Sequence, residues 1–261
     1  MDRFKSRRIQ VGDLNIRYYT GGKGDPLLII HGGNSHAQSW AKNVGELSHK
    51  YQVYIPDLPG FGLSESLDGT FYIPEFVDFV TKFTGALGLR SFYLMGHSMG
   101  GAIAASYTIQ NPQQVSKLVL IDSMCMGEEI ALWVRVLSTP AFCRSFGKGL
   151  VAMSRGAKWV AETMFQSVDY VQPMSAANLV IGCEVSTREV QKLVLQNQLS
   201  GIMSPTLIFW GDSDHIVPVK QAFAAAAVIP DCRVKILKGG HCAYARRMPE
   251  FSAELDRFLA G

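Results

Sequence analysis

Six short runs of consecutive apolar residues, mostly β-branched or aromatic, punctuate the chain at residues 26–32, 51–58, 91–96, 117–122, 205–211 and 232–239. A strand with one wet face alternates apolar and polar side chains. Near-continuous hydrophobicity instead predicts strands buried on both faces, and hence a mostly parallel sheet covered by helices on each side. The stretches between the runs have helical period, residues 73–89 among them. The C-terminal stretch sets Phe251, Leu255, Phe258 and Leu259 on one face, with Pro249 suited to a helix start. Strand and helix in repeated alternation predict a wound α/β sheet. The opening is different: two alternating runs flank Gly12-Asp13, which predicts an antiparallel hairpin at the sheet edge and brings the expected strand number to eight.

The rhythm breaks once. From about residue 124 to 200 no strand pattern appears, and residues such as Trp133, Phe142, Phe146, Met153, Trp159, Met164 and Phe165 fit amphipathic helices. Alternation then resumes. The expected organisation is an α/β core of residues 1–124 and 201–261, with a helical cap of residues 125–200 inserted between two sheet strands and lying over the strand ends. Residues 91–109 are apolar over nearly the length of a membrane span. Their glycines, the central His97 and Ser98, and the strand-rich first half argue against one.

Composition narrows the class. Hydrophobic residues at 48% and charged residues at 18% describe a globular chain with a sizeable core. The net charge of +3 is spread along the chain, with no dense basic block beyond Lys5-Ser6-Arg7-Arg8, so neither nucleic acid nor an acidic membrane surface is implied. Cys125, Cys143, Cys183, Cys232 and Cys242 are odd in number and lack metal-ligand or redox spacing. With no apolar signal core at the N-terminus, they are expected as reduced thiols of a cytoplasmic protein.

The candidate chemistry centres on Gly96-His97-Ser98-Met99-Gly100, between a strand-like run and a helix-like run of small residues. A serine hydroxyl is a poor nucleophile unless a base takes its proton and donors meet the developing oxyanion. The paired glycines leave room for a sharp strand-to-helix turn that would project Ser98 above the sheet, over the N-terminus of the next helix.

Five segments, "HGG" at 31–33, "DLPGFGLSE" from Asp57, "GHSMGG" at 96–101, "GDSDHIVP" at 211–218 and "GGHCAYARRMPEFSAELDRFL" near the end, resemble the α/β-hydrolase fold family in that family's order. The likeness covers the chain from about residue 8 onward, the cap excepted. It implies a mostly parallel eight-stranded sheet and a triad in the order Ser98 (nucleophile), Asp214 (acid), His241 (base). Asp212 is then expected to hold its loop. Asp122 is a third candidate acid, because some members place it after the strand ending there. The backbone N–H groups of Gly33 and Met99 are the implied oxyanion hole, with Asn34 able to add a contact. His31 and His97 are expected to make structural hydrogen bonds, and His36, His49 and His215 have no base-like setting. "DLPGFGLS" is expected to shape the site without handling protons. Glu128 and Glu129 read as a solvated acidic helix start.

The expected activity is hydrolysis of a small to medium, partly hydrophobic ester through an acyl-enzyme, with no metal or organic cofactor. Serine rather than aspartate at position 98 argues against alkyl transfer. The alternatives are a carbon–carbon bond hydrolase of dienoic ring-cleavage products, a thioesterase or acyltransferase, and a ligand-binding protein that keeps the fold without turnover.

Overall fold

The computed structural model describes residues 3–33, 35–66, 72–127, 129, 131–132 and 197–261. The strands are β1 (Lys5–Val11), β2 (Leu14–Gly21), β3 (Asp25–Ile30), β4 (Tyr51–Pro56), β5 (Phe92–His97), β6 (Val115–Ile121), β7 (Thr206–Gly211) and β8 (Cys232–Leu237). They form one sheet in the order β1-β2-β4-β3-β5-β6-β7-β8. β1 and β2 are the antiparallel hairpin at one edge, with Val11 opposite Leu14 across the turn. β2 joins β4 antiparallel, and every pairing from β4 to β8 is parallel.

Side chains alternate across the sheet with period two. Leu28, Ile30, Leu94, Leu118, Leu120 and Ile208 enter the core under α2 (Ile73–Ala86) and α3 (Met99–Gln110). Leu27, Ile29, Met95, Val119, Ile121 and Phe209 face the other way, onto Trp40 of α1 (Ala37–Asn43) and Phe251, Leu255 and Phe258 of the C-terminal helix. Both faces of β3, β5, β6 and β7 are therefore dry, which is why those runs read as unbroken apolar stretches. β8 corrects the expectation of a strand buried on both faces: only Leu237 is fully buried, because no strand lies beyond this edge.

The last elements are α4 (Lys220–Ala226), α5 (Ala243–Arg246) and α6 (Met248–Ala260). Phe251, Leu255, Phe258 and Leu259 form the buried face of α6, with Pro249 in its first turn. Residues 91–109 become β5, the turn at Ser98 and α3, and among the described residues no helix is long and apolar enough to cross a membrane. The chain leaves the sheet after Ile121 and re-enters it at Thr206, next to β6. The stretch between them, where a cap is expected, falls mostly outside the described residues, as do the seven aromatic and methionine positions named for it.

Candidate active site

Ser98 links β5 directly to α3 with φ 53° and ψ −119°, a left-handed conformation that a non-glycine residue rarely adopts. Its N–H donates to the Ile121 carbonyl at 2.9 Å, and its carbonyl accepts from Gly101 at 2.9 Å and from Met124 at 3.1 Å. The glycines on either side are required by close approach. A Cβ on Gly96 would lie 2.2 Å from the Gly100 carbonyl oxygen, and one on Gly100 would lie 2.3 Å from that of Ile30. Met99 opens α3, so its N–H belongs to the first-turn donors that have no partner within the helix.

His241 sits in the loop between β8 and α5. Its Nδ1 lies 2.8 Å from Asp214 Oδ2 and its Nε2 lies 2.9 Å from Ser98 Oγ. A carboxylate only accepts, so Nδ1 carries the proton and Nε2 presents its lone pair to the serine hydroxyl. Asp214 is fixed in turn: its Oδ1 accepts the N–H groups of Ile216 at 2.8 Å and Val217 at 3.0 Å, and its side chain is wholly buried.

The other two acid candidates are engaged elsewhere. Asp212 Oδ1 accepts from Gly239 N–H at 3.0 Å and Ser213 Oγ–H at 2.8 Å, tying the Asp214 loop to the His241 loop. Those hydrogen bonds, that from Gly239 first, hold its carboxyl below the usual range. Asp122 Oδ1 accepts from Gly211 N–H at 2.8 Å.

His97 lies behind His241. Its Nε2–H donates to the His241 carbonyl at 2.9 Å. Burial, then the neighbouring His241, pushes its pKa down to about 3, so it stays neutral. Trp40 and Tyr244 stack at 4.7 Å and both rings lie against His97.

On the opposite side of Ser98 the loop after β3 is tied down at both ends. His31 donates from Nδ1 to its neighbour's carbonyl on Gly32 at 2.7 Å and accepts from Leu58 N–H at 3.0 Å through Nε2. Asp57 accepts from Ala37 N–H at 2.7 Å, Leu63 N–H at 2.9 Å and Arg17 Nε at 2.5 Å. Between these anchors Gly33 is exposed, with nothing within 4 Å of where a Cβ would stand. Asn34 lies outside the described residues.

A sequence model described as the alpha/beta hydrolase fold matches residues 25–246. The chain belongs to that family. This α/β hydrolase is 26% identical to a pyrrolizixenacetamide deacetylase of Xenorhabdus hominickii, over 97% of each chain. It is also 26% identical to a 2-hydroxy-6-oxo-6-(2'-aminophenyl)hexa-2,4-dienoic acid hydrolase of Metapseudomonas resinovorans, over 98% of this chain and 91% of that one. Among solved structures, a membrane phospholipase A described as a bacterial virulence factor aligns with a TM-score of 0.75 and 27% identity, covering all of this chain and 87% of that one.

Sequence reasoning missed two features of this α/β hydrolase. Gly32 backs onto the elbow: a Cβ there would lie 2.9 Å from His97 Nδ1 and 3.1 Å from Ser98 Cβ. Its place directly after His31 was the available signal. The second is Arg17, the buried ion-pair partner of Asp57; nothing in an alternating strand marks one arginine as the inward one. His49 and His215 are exposed and His36 is buried beside α1. Glu129 is exposed and paired with Lys220, while Glu128 lies outside the described residues. His97, Asp122 and His241 bring one potential metal-ligand atom each within 4.8 Å of one another, but both ring nitrogens of His241 already serve Asp214 and Ser98.

Proposed function

We propose that this α/β hydrolase is a serine hydrolase that cleaves a small to medium, partly hydrophobic ester through an acyl-enzyme. The observation that carries the reading is the unbroken pair of hydrogen bonds from Ser98 Oγ to His241 Nε2 at 2.9 Å and from His241 Nδ1 to Asp214 Oδ2 at 2.8 Å. His241 takes the Ser98 proton as the oxygen attacks the substrate carbonyl, and Asp214 fixes the imidazole tautomer and stabilises the imidazolium without taking the proton itself. The N–H groups of Met99 and Gly33 receive the oxyanion, the first backed by the α3 dipole. His241 passes its proton to the leaving alkoxide, then deprotonates the water that releases the acyl group. Every group in this scheme comes from the chain, so it calls for no metal or organic cofactor. A cytoplasmic setting is the reading supported by the odd number and unpatterned spacing of the five cysteines in the sequence.

Labelling with a fluorophosphonate probe tests the reading. The folded protein should form an adduct at Ser98, and Ser98→Ala should form none and lose esterase turnover by about 10⁴-fold or more. Folded protein that leaves Ser98 unlabelled refutes it. A second reading, cleavage of a carbon–carbon bond in a dienoic acid, is favoured by the likeness to the Metapseudomonas hydrolase. Turnover of a vinylogous diketone with none of p-nitrophenyl esters would select it.

A further inference from the structure

A buried ion pair stands behind the loop that carries Gly33. Arg17, on β2, and Asp57, directly after β4, are both buried, and Arg17 Nε donates to Asp57 Oδ2 at 2.5 Å. Oδ1 of the same carboxylate accepts the Ala37 N–H at 2.7 Å, and Oδ2 also accepts the Leu63 N–H at 2.9 Å. The carboxylate has no room to turn, because Gly62 approaches so closely that a Cβ there would lie 2.2 Å from Asp57 Oδ2. Backbone groups join the two residues as well. The Asp57 N–H donates to the Arg17 carbonyl at 2.9 Å, and the Arg17 N–H donates at 2.9 Å to Ser64 Oγ, whose own hydroxyl donates to the Asp57 carbonyl at 2.8 Å.

Stability alone does not account for the pair. Replacing two buried, paired charges by apolar side chains of similar volume is often neutral or stabilising, because desolvation offsets their attraction. Among the described residues Arg17 Nη2 has no hydrogen-bond partner, which adds to the cost of burying it. What a walled-in carboxylate supplies is direction. Residues 31–36 join β3 to α1, and Gly33 among them is exposed, with nothing within 4 Å of where a Cβ would stand, so nothing packed on that side holds it. Its place is set by the ends of the segment. His31 fixes one end by accepting the Leu58 N–H at 3.0 Å, and the bond from Ala37 to Asp57 fixes the other.

We propose that Arg17 is a positioning residue for oxyanion stabilisation, a role that rests on the Ser98–His241–Asp214 reading. Its guanidinium holds the Asp57 carboxylate on the Ala37 N–H, and through it the segment from which the Gly33 N–H meets the oxyanion. Arg17 acts through Asp57 and not on the reacting atoms. Breaking the pair therefore leaves substrate binding in place, while the tetrahedral intermediate loses a well-placed donor.

The test compares the wild type, Arg17→Met and Arg17→Lys, each assayed below its own unfolding midpoint and counted by fluorophosphonate titration of Ser98. Two quantities are read per titrated site: hydrolysis of a p-nitrophenyl ester, and inhibition by an alkyl trifluoromethyl ketone, to whose carbonyl carbon Ser98 Oγ adds to leave an oxyanion. Arg17→Met should lose about 100-fold in kcat with KM within about twofold, and about as much in ketone affinity, while its pH profile stays parallel to the wild type because the triad is untouched. Arg17→Lys keeps the charge without the planar fork, so it should recover the lost stability and still turn over about tenfold more slowly than the wild type. A pair that only stabilises the fold would leave turnover per titrated site unchanged. Arg17→Met within about threefold of the wild type in both kcat and ketone affinity therefore overturns the proposal. If Arg17→Met does not fold, Arg17→Lys decides alone, and wild-type kcat and ketone affinity in that variant are the overturning result. A wild type that never labels at Ser98 refutes the hydrolase reading instead, and the positioning role falls with it.

Discussion

On the Ser98 side of the 2.9 Å bond to His241, position is set by backbone sterics, whereas on the His241 side it is set by side-chain hydrogen bonds. The elbow is locked by carbonyl oxygens 2.2 and 2.3 Å from where glycine Cβ atoms would stand, and by a left-handed Ser98. His241 is held by Asp214 on one ring nitrogen and by His97 on its carbonyl, with Asp212 joining the two loops. Repulsion at such distances rises steeply, while each hydrogen bond contributes about 1 kcal/mol net, or about 2 with a charged partner. Ser98 is thus fixed and the His241 imidazole adjustable. Substitutions of the elbow glycines should break the fold, and those around His241 should alter chemistry or pH response while the fold survives.

Gly96→Ala is the severest way to probe the rigid side. The new methyl would collide with the Gly100 carbonyl, which α3 holds in place, and neither backbone can retreat without moving Ser98. No soluble folded protein is expected, as judged by near-ultraviolet circular dichroism and gel filtration. A folded, labelling-competent Gly96→Ala would show the elbow to be as yielding as the base loop.

Next in size is Arg17→Met, which acts on the loop facing the elbow. Removing the guanidinium strands the Asp57 carboxylate, which is buried and meets Arg17 Nε at 2.5 Å. Leaving one partner of such a pair uncompensated costs about 3–5 kcal/mol, readable as a lower urea midpoint. Arg17→Met/Asp57→Leu should recover part of that stability, though not the Ala37 and Leu63 N–H bonds that only the carboxylate accepts.

His97→Asn probes the adjustable side. At neutral pH it removes the bond to the His241 carbonyl, for about 1 kcal/mol of stability, and should slow labelling about tenfold by loosening His241. The sign reverses in acid. Folded His97 titrates near 3 and the unfolded residue at 6.5, so above 6.5 neither state holds the proton; as pH falls from 6.5 towards 3 only the unfolded chain gains it, and stability is lost. The asparagine variant escapes that loss, which reaches about 1 kcal/mol near pH 6, so the two urea midpoints should converge there and cross at lower pH. Parallel pH dependences would mean His97 is not held neutral by the fold.

How much of this was legible in the sequence follows from range. Local patterns carried far: period-two alternation marked the β1–β2 hairpin, the apolar runs located the central strands, and Gly96-His97-Ser98-Met99-Gly100 announced the elbow because strand, serine and helix are contiguous. Expecting Asp214 rather than Asp212 or Asp122 beside His241 needed the resemblance, since three carboxylates near strand ends each take a backbone N–H and look alike until His241 Nδ1 is seen 2.8 Å from Asp214 Oδ2. The pairing of Arg17 with Asp57 and the bond from His97 to His241 span 40 and 144 residues, and no single-chain pattern encodes them. The partial exposure of β8 was hidden for a similar reason, because Val234 and Ile236 read as core until the sheet is known to end there.

The smallest expected effect separates the two neighbouring glycines after His31. Gly33→Ala adds a methyl into open space and leaves the backbone N–H in place, so stability should change by less than about 0.5 kcal/mol and labelling at Ser98 by less than about threefold. At Gly32 the same methyl would press on His97 Nδ1 at 2.9 Å and Ser98 Cβ at 3.1 Å, so it must displace either the rigid elbow or the softer histidine. Because His97 is anchored by one hydrogen bond and Ser98 by the backbone of two strands and a helix, the histidine should yield. Gly32→Ala should then reproduce the slower labelling of His97→Asn without the collapse of Gly96→Ala. Collapse instead would extend the sterically fixed region across the whole floor of the site, and the softness assigned to the base would be confined to the loops of Asp214 and His241.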